Sequence, residues 1–174
     1  MKMIILSGVL SLVLSSSVSA ASFGEQNVAR FVSLKPERQL VLAENGTVNC
    51  EVVSPDGTAP AARFAAKELQ KYLSESIGAP VPLVKKAGTG KVSILVGTGA
   101  DVSELPRDGF IIRAAGSRII IAGRDDTRYT PGADYAPWGD YCERATLFGV
   151  YDFLERFLGA KFVFPGDAGT VVPK

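Results

Sequence analysis

The sequence contains no histidine. That absence excludes serine and cysteine triads built on imidazole, imidazole general bases and histidine-ligated zinc in one step. Cysteine is scarce: Cys50 and Cys142 are the only two, too few for a four-thiolate zinc centre. Net charge is nearly absent, with 19 Lys and Arg against 18 Asp and Glu. Nothing in that balance steers the protein toward nucleic acid or an anionic membrane surface. No long acidic run is present. Gly97-Thr98-Gly99 follows an apolar stretch, but neither a Lys-Ser or Lys-Thr pair nor an immediate helix accompanies it, so it does not spell a phosphate loop. Asp125, Asp126, Asp134 and Asp140 lack the ligand alternation and closing glutamate of a calcium loop. No metal and no cofactor is therefore expected.

What is there begins with an export leader over residues 1–20. Lys2 is its basic start, Met3 to Leu14 its apolar stretch, and Val18-Ser19-Ala20 its small-residue cleavage site. The apolar run is too short to span a bilayer comfortably, and no charged stop-transfer segment follows. The processed chain is expected to start near Ala21 and to be secreted or periplasmic, with no membrane attachment. Losing Lys2 with the leader leaves basic and acidic residues equal in number. Export permits a Cys50–Cys142 disulfide, which would close a long loop and contribute about 4 to 5 kcal/mol. The alternative is a buried strand cysteine at 50 and a separate loop cysteine at 142.

Residues 21–37 read as an arm or linker, and 38–174 as one domain. Gln39 to Ala43 and Thr47 to Val53 read as strands joined by an Asn45-Gly46 hairpin turn. Pro60 suits a first helical position. Ala61, Ala65, Leu69, Leu73 and Ile77 then recur at helical spacing up to a stop at Gly78. Alanines at 61, 62, 65 and 66 imply close approach of that helix to its sheet. Pro80 to Val84 is an edge-like strand, and Val92 to Val96 a central one. Gly109 to Ala114 and Arg118 to Ala122 form a hairpin, the second strand covered on both faces. Asp125 to Arg144 is a long polar and aromatic loop, a length that is often functional. The last helix puts Leu147, Val150, Tyr151, Leu154, Phe157 and Leu158 on one apolar face, with Gly159 as its left-handed cap. Ala160 to Phe164 reads as a strand ended by a Pro165-Gly166 turn.

This closing stretch also carries a resemblance. The runs LFGVYDFLE from Leu147, LGAKF from Leu158, FPG from Phe164 and GTVVP from Gly169 resemble the end of the accessory domain that precedes the catalytic barrel of alpha-glucuronidases. They are still more similar to that domain in secreted bacterial proteins of unassigned function related to glycoside hydrolases. Beta-hexosaminidases carry a more distant version. Ala61 to Gly78, Ser93 to Gly97 and Asp108 to Gly123 fit the same pattern, so the resemblance takes in most of the chain after the leader. Where relatives carry Gly-Thr, this chain has Ala145-Thr146, which puts in doubt a close backbone approach at the start of the last helix. The resemblance implies that the catalytic carboxylates lie in a barrel absent from this chain, so no catalytic residue is assigned.

The expected fold is α/β, a two-layer sandwich of a mixed, mostly antiparallel sheet with two helices packed on one face. The unbroken apolar strands imply that the other face is not fully polar. The expected function is a non-catalytic accessory domain of a secreted carbohydrate-active protein, a fragment whose partner is the missing barrel. The alternatives are a stand-alone glycan-binding module and a small glycosidase in its own right. In the module, Tyr129, Tyr135, Trp138 and Tyr141 of the long loop would stack on the rings of plant or microbial polysaccharide. Acidic pairs can be drawn among Asp125, Asp126, Asp134, Asp140 and Glu143, but none is singled out by its spacing.

Overall fold

A computed structural model describes residues 2–7, 38–126 and 143–174. The apolar runs after Asn49 build the main sheet. Its strands are β4 (Cys50–Val53), β5 (Leu83–Val84), β6 (Val92–Val96), β7 (Phe110–Ala115) and β8 (Arg118–Gly123), in the order β5-β4-β6-β8-β7. The pairs β5–β4, β4–β6 and β6–β8 are parallel, and β7 closes the edge antiparallel to β8. Parallel neighbours need a crossover, and helix α1 (Pro60–Ile77) supplies the one between β4 and β5. Three further antiparallel pairs lie outside this sheet. They join β1 (Lys2–Ser7) to β2 (Arg38–Glu44), β2 to β3 (Thr47–Val48), and β9 (Lys161–Phe162) to β10 (Thr170–Val171). The result is the expected mixed sheet with two helices laid against it.

Those helices, α1 and α2 (Ala145–Phe153), share one face. Val52, Ile94, Val96, Ile119 and Ile121 point into a single core with Leu69, Leu73, Leu147, Val150, Phe153 and Leu154. Leu40 and Leu42 of β2 join the same core. The small alanines of α1 do what their size implies. A Cβ added at Gly97, just beyond β6, would lie 2.4 Å from the Cβ of Ala62. Gly78 ends α1 in the left-handed conformation at φ 74°, its N–H donating to the Ser74 carbonyl. Asn45 and Gly46 both take positive φ, 51° and 77°, as a two-residue hairpin turn requires.

The opposite sheet face is also covered. Val53, Ile120 and Ala122 are buried there, together with Glu51 and Ser93. Glu51 accepts a hydrogen bond from the Gly88 N–H at 2.6 Å and another from the Ser93 hydroxyl at 2.9 Å, which ties the β5–β6 loop over this face. The β6–β7 loop folds over the rest, bringing Gly99 against Leu95 and Ile120.

Four local expectations need correction. The edge strand expected over Pro80 to Val84 is only Leu83–Val84, since neither Pro80 nor Pro82 has an N–H to pair. The strand expected over Thr47 to Val53 divides at Asn49, whose N–H donates to Leu42 while its carbonyl accepts from Val92. β3 thereby stays with β2, and β4 enters the main sheet. The last helix is not uniformly α: Leu154–Leu158 forms a π turn before Gly159, at φ 77°. Adjacent Phe153 and Leu154 are both fully buried, which a straight amphipathic face does not readily achieve, and the wider turn accompanies that placement. The strand expected to reach Phe164 is only Lys161–Phe162. β10 offers two paired residues, and Val163 makes one further bond to the Gly169 carbonyl.

Candidate functional site

Both helices start beyond the carboxyl ends of parallel strands, α1 after β4 and α2 after β8. In open sheets of this kind, clefts for ligands form along that edge. At the β8 end the chain passes through Gly123, Arg124 and Asp125 into residues 127–142, and returns through Glu143 and Arg144 into α2. The two ends are held together. Asp125 and Arg144 form a β-bridge, the Asp126 N–H donates to Glu143 at 2.8 Å, and the Ala145 N–H donates to Arg124 at 3.2 Å.

Side chains reinforce the clasp. Arg124 pairs with Glu143 at 3.2 Å through Nη2 and donates to the Leu105 carbonyl at 2.9 Å through Nη1. Gly123 lies directly under the start of α2. A Cβ there would stand 2.6 Å from the Ala145 Cβ and 2.8 Å from the Thr146 nitrogen. The close approach that Ala145 put in doubt is therefore retained, with the glycine on the strand rather than on the helix. The Gly123 N–H donates to Thr146 Oγ1 at 3.0 Å, and the Thr146 N–H donates to Asp125 Oδ1 at 3.0 Å. Arg144, at the N-cap, offers no side-chain cap. Asp125 supplies a cap from outside the helix, placing an acceptor at its positive end.

Burial pushes the Asp125 carboxyl above the usual aspartate range. The two Thr146 hydrogen bonds pull against that, and the neighbouring Glu143 charge adds to it. Two carboxyl groups in unlike environments are the raw material of glycoside hydrolysis. Here one is committed to a helix end and the other to an arginine. The Asp125 cap had no local sequence signal, because Asp125 meets Thr146, 21 residues away, across the close contact at Gly123.

The sequence-predicted aromatics Tyr129, Tyr135, Trp138 and Tyr141 lie outside the described residues, as do Asp134, Asp140 and Cys142. Cys50 is fully buried in β4 on the helix side, and burial pushes its thiol up to about 12. The residues named for the last helix divide by burial. Leu147, Val150, Leu154 and Leu158 are buried, Phe157 is half-buried against Phe153, and Pro165 and Gly166 form an exposed turn. At the opposite end of the molecule a shallow cleft of about 350 Å³ lies between the β2–β3 turn and the end of α1, lined by Gly46, Glu75, Ile77 and Lys174. Among the described residues, no group of three or more acidic or thiol side chains could hold a metal ion. Comparison with protein-family models, curated proteins and solved structures gives no match to this chain.

Proposed function

We propose that this chain is a non-catalytic accessory domain of a secreted or periplasmic carbohydrate-active protein, and that it works beside a catalytic barrel. The observation that carries the reading is the C-terminal hairpin. Val163, Phe164 and Val171 are 74 %, 55 % and 58 % exposed, whereas the other large exposed apolar side chains among the described residues, Leu83 and Phe148, are each 37 % exposed. Grouped apolar residues of this kind are usual where a further surface packs. Phe164 and Val171 lie within the runs that resemble alpha-glucuronidase accessory domains, and Val163 directly precedes one of them. The leader-like residues 1–20 support export, and no helix among the described residues is long and apolar enough to cross a membrane.

Reading the gene beyond the Lys174 codon tests the proposal. A continuous frame encoding a barrel with paired carboxylates is the expected result, and an immediate stop followed by unrelated sequence refutes it.

The clasp at Asp125 and Arg144 favours a second reading, a glycan-binding module, because it anchors both ends of the segment that carries Trp138. Titration calorimetry with xylan and chitin oligosaccharides separates the two. Saturable binding lost in Trp138→Ala supports the module, and absence of binding supports the accessory domain.

A further inference from the structure

We infer that residues 2–7 act as a detachable cover strand, closing the outer edge of β2 for as long as the leader remains on the chain. The biological consequence rests on the proposal that residues 1–20 are removed; the pairing itself does not. β1 runs antiparallel to β2 with Lys2 opposite Glu44, Met3 opposite Ala43, Ile4 opposite Val41, Ile5 opposite Leu40, Leu6 opposite Gln39 and Ser7 opposite Arg38. The register places the leader's one basic position opposite an acidic one. It skips Leu42, whose carbonyl instead accepts from Asn49.

β2 depends on this partner more than its length suggests. β3 pairs with it only at Ala43 and Glu44. Arg38 to Val41 therefore have β1 as their one neighbouring strand among the described residues. Yet β2 is not free to leave when β1 does, because Leu40 and Leu42 are buried in the main core. Removing the leader would keep β2 in place and strip its edge, leaving a row of unpaired N–H and C=O groups ready to accept an extended strand. Before removal, residues 2–7 and this edge cover each other.

Hydrogen exchange on the uncleaved full chain tests this. In the wild type, amides within residues 4–6 and 39–41 should show protection, and residues 4–6 exchanging at the rate of an unfolded chain would overturn the inference without any variant. Ladder hydrogen bonds fall on alternate residues of an antiparallel pair, so Ile4→Pro and Ile5→Pro are made separately. At least one should raise exchange in residues 39–41 about tenfold or more, while Ile94 and Ile121 keep their protection. Unchanged exchange at β2 in both variants refutes the pairing. Loss of protection at Ile94 and Ile121 refutes the detachable character, since the strand would then be part of the core. Leader removal is read separately, from the N-terminal mass of secreted protein, so failure of export and failure of the pairing are distinguishable.

Discussion

Gly123→Ala should be among the most damaging single-methyl additions in this protein. The new Cβ would stand 2.6 Å from the Ala145 Cβ, 2.7 Å from the Ala145 carbonyl carbon and 2.8 Å from the Thr146 nitrogen. Two of those atoms are backbone, so no side-chain rotation relieves the contact. The start of α2 must move away from β8. That movement stretches the bond from the Gly123 N–H to Thr146 Oγ1 and the bond from the Thr146 N–H to Asp125, each 3.0 Å in the native fold. Overpacking of a dense site costs about 1 to 3 kcal/mol, and a weakened hydrogen bond to a carboxylate adds about 1 to 2 kcal/mol. The expected loss is roughly 2 to 5 kcal/mol. Urea melts followed by far-ultraviolet circular dichroism would measure it. Gly116→Ala is the control: nothing stands within 4 Å of a Cβ at Gly116, so its cost should reflect only the positive φ of 59°. A loss in Gly123→Ala no greater than in the control would refute the close approach and the clasp built on it.

Leu154→Ala should cost about 2 to 5 kcal/mol, because Leu154 is fully buried at the junction of α2 and the π turn. Phe148→Ala, at a position 37 % exposed, should cost clearly less, and equal losses in parallel melts would mean the buried face is misassigned. The Cys50 thiol should resist alkylation in native protein and react only on unfolding, since it is fully buried and little of it is thiolate near neutrality; rapid native labelling of Cys50, located by peptide mapping, would contradict this. Asp125 has a raised folded pKa, so its favourable contribution is fully present below the ordinary aspartate range and declines as pH rises through the raised folded value. The stability of wild type relative to Asp125→Asn should therefore improve as pH is lowered from neutral to about 4, and a difference that moves the other way would show that burial does not dominate at this carboxyl.

Local chemistry made much of the fold legible. The alanines of α1 announced a close sheet contact, and Gly97 meets Ala62 as they require. Asn45-Gly46 announced its hairpin, and the stops at Gly78 and Gly159 were visible because only glycine takes those backbone angles cheaply. Pairing direction was harder to read. β4, β6 and β8 are short apolar runs whose composition does not state their neighbours, and Asn49 redirects the chain between two sheets without a proline or glycine. The cover of the second sheet face was partly legible, from the unbroken run Ile119-Ile120-Ile121, but not its source. Loops provide it, through contacts such as Gly88 to Glu51 that join residues 37 apart. The candidate site was least legible. Asp125 looked like one of several loop acids, and its role as a cap depends on the glycine two residues before it and on a helix starting twenty residues after it.

We propose that the chemistry resides outside this chain, and glycosidase turnover tests it: the purified protein is assayed on glucuronic-acid-substituted xylan fragments, alongside the product of the same gene extended through whatever reading frame follows Lys174. Residues 21–174 should give no turnover above background, and only the extended protein should turn over substrate. Turnover by residues 21–174 that rises in proportion to protein concentration, survives repurification and falls in Asp125→Asn or Glu143→Gln would contradict the proposal.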